Sequence, residues 1–394
     1  MKQGRISLFS LLGHEVDSAM VTGVNDFCLH LTTINPRVHE DLLAQALLLA
    51  TLMRQQTISK SATRDRRGAT HGAKLRRASA PVSSPLRIPK DRDSVEVDLE
   101  GKNVTLTNLR KVFWPDLGIS KGDLLQFYAD VAPVLLPHLV NRAMVMKRYP
   151  HGIAGEFFFM KRAPSPRPDW IETCAIEHSS GNVIDFPVIR DLASLLWVIN
   201  LGCIDLNPWY ARCDDVDRPD YLHFDLDPVK GATWEQMLET ASVVHDALES
   251  LKLPSLIKTT GSRGFHIYVP IMRGPTQKQV WAVAKKFANT LAALRPDLMT
   301  AEYRIAKRPS KRVLVDYNQN AWGQTLSSIY SVRPQPKATV STPITWKELK
   351  KGPRIEDFHI GNVRARIHKL GDLWAPLLAQ TGRARLETLY DATD

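Results

Sequence analysis

The sequence predicts a mixed fold of the α/β (α+β) class. Strand-like alternation and helix-like runs interleave from Ser94 towards the end of the chain, as in layered mixed folds. Apolar residues make up 44% of the 394, enough for a sizeable core. No apolar run reaches the roughly 18–20 residues that span a bilayer, so no membrane role is expected. No internal repeat is present.

In chain order, residues 1–92 read as an N-terminal extension that is disordered or weakly ordered. Residues 38–53 are rich in Ala and Leu and suit a helix. Residues 57–92 read as a basic linker: ten Lys or Arg stand against Asp65 and Asp91, a local balance of +8 out of the chain's +11. Such a stretch is either an arm for nucleic acid or a solvated tail, and the tail is the simpler reading. The body from residue 93 keeps a balance of only +4. A nucleic-acid role must therefore rest on specific sites. Cys28, Cys174, Cys203 and Cys213 form no C-x-x-C pair, which fits reduced thiols in the cytoplasm better than zinc or disulfides. The apolar residues after Lys2 and Arg5 end at Gly13, too early for a secretion signal.

Residues 93–380 read as one domain, with 381–394 as a tail. Two alternating runs around Gly101 predict a hairpin. Ser120, with Asp123 three residues on, predicts the capped start of a helix over 122–136. Strands are expected at 143–148, 155–161, 221–227, 255–260, 265–270 and 312–317. Helices are expected at 192–201, 234–251 and 276–294, and a closing helical run at 354–378. Trp197, Trp209 and Trp281 are assigned to the core.

Three segments carry candidate chemistry. In Y-L-H-F-D-L-D-P, residues 221–228, strand alternation puts Leu222, Phe224 and Leu226 on one face and His223, Asp225 and Asp227 on the other. The two Asp α-carbons then stand roughly 6.5–7 Å apart. Two acids buried side by side need compensation, and hard cations such as Mg²⁺ or Mn²⁺ accept oxygen ligands of this kind. The same D-x-D pattern occurs in metal-dependent glycosyltransferases and in surface strands. In K-T-T-G-S-R-G-F-H, residues 258–266, a glycine-containing turn between two strands can aim backbone N–H groups, Ser262 and Arg263 at phosphate; a plain hairpin with a satisfied histidine is the alternative. In V-L-V-D-Y-N-Q-N, residues 313–320, Asp316 falls at another strand end.

Together, F-D-L-D-P, T-G-S-R-G-F-H and V-D-Y-N-Q-N resemble the three motifs of the archaeo-eukaryotic primase superfamily. More narrowly, they resemble the polymerase domain of bacterial ATP-dependent DNA ligase D, the end-joining partner of Ku. L-T-N-L-R-K-V-F-W-P, M-K-R-Y-P-H-G, F-F-M-K, I-D-L-N-P-W and Y-S-V-R agree, and the resemblance covers about residues 94–380. It implies a primase-like catalytic core of two interleaved β-sheet subdomains flanked by helices. It implies a nucleotidyltransferase (primase-polymerase) that adds ribo- or deoxyribonucleotides to a 3′ end, in gap filling and end processing during non-homologous end joining or in priming. Asp225, Asp227 and Asp316 would bind two divalent ions, Mn²⁺ or Mg²⁺. The incoming NTP or dNTP would meet Lys147, Phe158 or Phe159, Asn207, Thr260, Ser262, Arg263, His266, Arg308, Gln319 and Arg333. Asn108, Lys111 and Lys121 would grip the 5′-phosphate of gapped or broken DNA. By default Lys111 and Lys121 would be solvated and residues 157–159 would be core.

Asn207 stands where this family often has His, and Thr260 where Ser is common. Asn can hydrogen-bond a ribose but lacks an imidazole's charge, which leaves the sugar preference open. With no K-x-D-G motif and no second metal cluster, the expectation is a stand-alone, monomeric, nucleoid-associated polymerase working with Ku and a separate ATP-dependent ligase. The rivals are a D-x-D glycosyltransferase and a non-catalytic DNA-end-binding protein.

Overall fold

Residues 94–107 form the hairpin that the alternation predicts. The structure, a computed structural model, describes residues 86–387 apart from Ser179, together with Leu389. The helix expected over 38–53 lies outside them. Residues 247–252 group apart from the compact unit formed by the other described residues, and both main sheets belong to that unit.

Strands β1 (Ser94–Leu99) and β2 (Lys102–Thr107) pair antiparallel, and Gly101 turns between them at φ +80°. The short pair β3 (Val112–Trp114) and β4 (Ile119–Ser120) leads into helix α1 (Lys121–Leu139). Ser120 Oγ accepts from the Asp123 N–H, and the Asp123 carboxylate accepts from the Ser120 N–H, the reciprocal cap expected of this spacing. Then follow β5 (Met144–Arg148), β6 (Phe158–Met160), the hairpin β7 (Thr173–Glu177) and β8 (Val183–Pro187), helix α2 (Leu192–Asn200) and β9 (Cys203–Pro208). Strands β6, β5 and β9 make a three-stranded sheet in that order. The strand expected over 155–161 is shorter because Gly155 is still in a turn, its N–H donating to Gly152 O.

The second sheet has six strands. After β10 (Tyr221–Pro228) come α3 (Trp234–Ser250), β11 (Leu256–Thr259), β12 (Phe265–Pro270), α4 (Gln277–Leu294), β13 (Met299–Thr300), β14 (Val313–Asp316) and β15 (Pro343–Ile344). The order is β13-β14-β10-β12-β11-β15; β13 and β14 are parallel and the other pairs antiparallel. Helix α4 packs on β10, β13 and β14, with the Phe224 and Phe287 rings 4.9 Å apart.

The segment after β14 ties the two sheets together. Ser328 N–H donates to Leu206 O of β9, Leu206 N–H donates to Ser331 Oγ, and Thr259 N–H donates to Thr342 O. Tyr128 of α1 joins this seam, donating its hydroxyl to Ile204 O and accepting from the Val332 N–H.

Several expectations need correction. The polar face of β10 is not open: His223 and Asp225 are buried, because β12 and β14 flank the strand and Tyr210, Tyr221 and Tyr268 surround the His223 ring. Neither His223 ring nitrogen has a hydrogen-bond partner, and burial, then His266, lower its pKa to about 3. The closing run over 354–378 is broken. Helix α5 (Trp346–Leu349) precedes it, and α6 (Val363–Leu370) and α7 (Ala375–Leu378) are separated by Gly371 at φ +69°. Packed chain begins before residue 93: the buried Ile88 donates its N–H to Gln126 Oε1. It also continues past 380, where Leu386 is buried and Arg383 Nη1 donates to the carbonyls of Asp220 and Ile271. Trp209 is core, whereas Trp197 and Trp281 are half-buried. Among the described residues no helix is long and apolar enough to cross a membrane.

Candidate active site

The centre is a row of side chains across three adjacent strands. Asp225 of β10 is the register partner of Asp316, the last residue of β14, on one side and of His266 of β12 on the other. Residues directly opposite on paired strands share a face, and Asp227, two residues on from Asp225, shares it too. His266 Nε2 lies 3.2 Å from Asp225 Oδ1, yet that oxygen makes no hydrogen bond and is buried. Asp227 Oδ1 lies 3.7 Å from Arg263 Nη2. Asp316 is held differently: its Oδ1 accepts from the Asn318 N–H at 2.8 Å and its Oδ2 from Gln319 Nε2 at 2.9 Å.

Burial, then repulsion from Asp316, raises Asp225 to about 7. Burial, then Asp225, raises Asp227 to about 7. A buried carboxylate oxygen without a donor, beside a second acid pushed towards neutrality, suits a site completed by a cation. Among the described residues no three His, Cys, Asp or Glu side chains are gathered into a ready-made cage. That is compatible with Mg²⁺-type ions, which take one or two carboxylates and complete their shell with water and phosphate oxygens.

The turn between β11 and β12 is built around Thr260. Its Oγ1 accepts from the N–H groups of Ser262, Arg263 and Gly264 at 3.0, 3.1 and 3.2 Å. These three donors are therefore satisfied internally rather than aimed at a ligand, and Thr260 shapes the turn. Arg263 stays largely exposed, and Ser262 Oγ accepts from Gln335 Nε2 at 3.3 Å. Close approach explains both glycines. A Cβ at Gly261 would lie 2.6 Å from Arg333 Cγ, and one at Gly264 only 1.8 Å from Leu226 O of β10.

Beneath the turn lies a buried polar cluster that sequence reasoning did not assign. Lys258 is fully buried; its Nζ lies 2.7 Å from His266 Nδ1 and donates to Ser341 Oγ at 2.6 Å and Ser327 O at 2.9 Å. Burial, then Arg333, holds Lys258 well below its ordinary pKa; burial, then Lys258, does the same to His266. Arg333 donates to Thr260 O at 3.0 Å and to Ser327 Oγ, and its Nε lies 3.4 Å from Oδ2 of the buried Asp205. The signals available were charged residues inside otherwise apolar strands: Lys258 beside Ile257, and Asp205 between Ile204 and Leu206.

Asp205 also connects to the smaller sheet. It is the register partner of Lys147, which is in turn opposite Phe159. Lys147 Nζ lies 4.1 Å from the Phe157 ring centre and 5.5 Å from that of Phe159, while Phe158 faces Arg148. Residues 157–159 are exposed, not core. Asn207 is buried and donates Nδ2 to Asp205 O at 3.1 Å. Arg308 donates to the carbonyls of Glu302 and Tyr303, and its charge lowers the pKa of Asp227.

Asn108, Lys111 and Lys121 form a separate cluster. Asn108 adopts φ +55° after β2; the Lys111 N–H donates to Asn108 O, and the Lys121 N–H to Lys111 O. Lys121 is buried rather than solvated, donating Nζ to Thr107 O at 2.6 Å; burial, then Lys111, lowers it to about 8. Lys111 Nζ lies 3.2 Å from His151 Nδ1.

The family profile described as the LigD primase-polymerase domain matches residues 120–374. The multifunctional non-homologous end joining protein LigD of Mycolicibacterium smegmatis is 33% identical over 73% of this chain and 38% of its own length. The bifunctional non-homologous end joining protein LigD of Bacillus subtilis is 29% identical over 67% of this chain and 42% of its own length. The chain thus spans about two fifths of these relatives. Among solved structures, the polymerase domain from Mycobacterium tuberculosis ligase D in complex with DNA superposes with a TM-score of 0.66 at 31% identity, covering 70% of this chain and 98% of that one.

Proposed function

The chain belongs to the LigD primase-polymerase domain family, and from that premise we propose that it extends the 3′-hydroxyl of a primer on gapped or broken DNA, with Asp225, Asp227 and Asp316 as ligands of two divalent cations, Mn²⁺ or Mg²⁺. The observation that carries this reading is the row Asp316–Asp225–His266, with a buried carboxylate oxygen lacking any donor. When bound, the cations would activate the attacking hydroxyl and neutralise the triphosphate and leaving pyrophosphate.

The chain's own residues position the reactants. Arg263, exposed beside Asp227, and Arg333, hydrogen-bonded to Thr260 O, offer guanidinium groups to triphosphate oxygens, and Arg308 adds a third charge. Ser262 adds a hydroxyl. His266 is held neutral with Nε2 turned to the site, so it acts as a polar contact for phosphate or sugar and not as a nucleophile. Phosphoryl transfer rests on positioning and charge neutralisation, which is why no activated Ser or Cys is required. Gln319 braces Asp316. Phe159, on the face of Lys147, is the better placed of the two phenylalanines to stack on a base; Phe158 faces away with Arg148. Asn207 would meet the ribose and bear on the choice between NTP and dNTP.

Asn108, Lys111 and Lys121 would bind the 5′-phosphate on the far side of the gap, a grip independent of sequence. Burial, then the neighbouring Lys111, depresses Lys121, and an anion there would offset both. A glycosyltransferase has no use for this second cluster, and a purely end-binding protein has none for three facing acids. We assign the activity to gap filling in end joining, in the nucleoid, alongside Ku and a separate ATP-dependent ligase, with the chain acting as a monomer.

The test is extension of a primer on gapped DNA with Mn²⁺, comparing 5′-phosphate with 5′-hydroxyl and NTPs with dNTPs. Extension favoured by the 5′-phosphate is expected; transfer from a nucleotide sugar with no DNA extension would replace this reading with the glycosyltransferase one.

A further inference from the structure

The row Asp316–Asp225–His266 continues onto a fourth strand. Lys258 of β11 is the register partner of His266 of β12, on the side of β12 away from β10. A fully buried lysine therefore stands behind the histidine. The reaction proposed above gives it no part.

The surroundings of Lys258 fix where its hydrogens go. Ser327 O, at 2.9 Å from Nζ, can only accept. Ser341 Oγ donates its own hydrogen to Thr259 O at 2.9 Å, so it accepts from Lys258 Nζ at 2.6 Å. The third contact of Nζ is His266 Nδ1 at 2.7 Å. These three contacts match the three hydrogens of an ammonium one for one. Burial, then Arg333, works against that charge, while Asp225 and Asp205 support it.

Donation from Lys258 requires a lone pair on Nδ1, which leaves the ring hydrogen of a neutral imidazole on Nε2. Nε2 lies 3.2 Å from Asp225 Oδ1, a buried oxygen without a hydrogen-bond partner. The opposite arrangement, a neutral lysine accepting from Nδ1–H, would turn a bare Nε2 lone pair towards that carboxylate and towards any phosphate entering beside it.

We propose that Lys258 is a positioning residue: it locks His266 in the tautomer with its hydrogen on Nε2, so that the imidazole meets the triphosphate of the incoming nucleotide as a hydrogen-bond donor. The role in nucleotide binding rests on the polymerase reading above. The first measurement is the ¹⁵N NMR spectrum of the imidazole-labelled protein at pH 8 with Mg²⁺, the His266 signals being assigned by their absence from His266→Ala. Wild type should show a lone pair on Nδ1 and a hydrogen on Nε2, and Lys258→Met a mixture of tautomers. Nδ1–H in wild type overturns the proposal, and this spectrum needs no lysine variant to fold.

The second measurement is steady-state extension of gapped DNA. Lys258→Met should raise the nucleotide KM roughly tenfold, the scale of one hydrogen bond to a charged group, with kcat unchanged. On the His266→Ala background the same substitution should add nothing, because Lys258 acts through His266. An unchanged KM, or an effect that adds in full to that of His266→Ala, would reduce Lys258 to a packing residue. Wild type that shows the Nε2–H tautomer but does not extend DNA overturns the polymerase reading, and with it the role in nucleotide binding, and leaves the lock itself standing.

Discussion

Replacing Asp225 by Asn should make the cation-free protein more stable while removing its activity. Asp225 is buried, its Oδ1 has no hydrogen-bond donor, and Asp316 lies directly opposite. Its pKa rises from 3.8 to about 7. A carboxyl with a raised folded pKa binds more protons folded than unfolded between those values, so stability falls as pH rises through that window. At about 1.4 kcal/mol per pH unit, the cost of ionising Asp225 reaches about 4 kcal/mol above pH 7. Asn removes the charge but leaves a buried amide to satisfy, so the net gain at pH 8 should be on the order of 2–4 kcal/mol, shrinking towards zero near pH 4. Urea unfolding with a chelator present, from pH 4.5 to 8, measures it. A variant no more stable than wild type at pH 8, or a gain that does not change with pH, would mean that ionised Asp225 carries no such cost. Added Mn²⁺ should stabilise wild type far more than the variant.

Three other outcomes are expected from the geometry. Asp220 accepts from Arg142 Nη2 at 2.6 and 2.8 Å and from Arg212 Nε at 2.8 Å, all at the start of β10. Asp220→Ala strands the buried Arg142 guanidinium and the half-buried Arg212 one and should cost about 3–5 kcal/mol in chemical denaturation. Burial alone would raise the Asp220 pKa, but Arg142 and then Arg212 hold it below 3.8, so this stability is present above about pH 4 and lost as pH falls through the lower folded value. Gly264→Ala would put a methyl 1.8 Å from Leu226 O; separating β10 from the turn should cost roughly 1–3 kcal/mol or more and raise the nucleotide KM. Lys111→Ala/Lys121→Ala should erase the preference for 5′-phosphorylated over 5′-hydroxyl gaps in a competition assay, with extension on ungapped primers retained; an undiminished preference would move the 5′-phosphate site elsewhere.

The core strands and long helices were legible because local signals and tertiary packing agree there. Ser120 caps its helix as the spacing to Asp123 announces, the helix expected from residue 276 forms with Thr276 as its cap, and alternation marks β1, β2 and β10. The row Asp316–Asp225–His266 joins residues far apart in sequence, so only the pattern of motifs pointed to it; the register that aligns them is a property of the sheet. What alternation misread was accessibility. A central strand is covered on both faces, which is why His223 is buried on what looked like a polar face. Lys258 and Asp205 escaped notice for the same reason: a charge inside an apolar strand reads as noise until its partners, Ser341, Ser327 and Arg333, arrive from distant segments. The closing helical run failed at Gly371, whose positive φ ends a helix regardless of the apolar pattern around it.

The sharpest check on the three-acid site is a paired measurement on Asp225→Ala: extension of a gapped, 5′-phosphorylated primer-template with Mn²⁺, and affinity for the same DNA. Extension should fall by at least about a thousandfold, the scale of removing a main electrostatic contact at a reacting centre, with DNA affinity retained through Lys111 and Lys121. Extension at the wild-type rate by that variant would contradict a metal-binding role for Asp225.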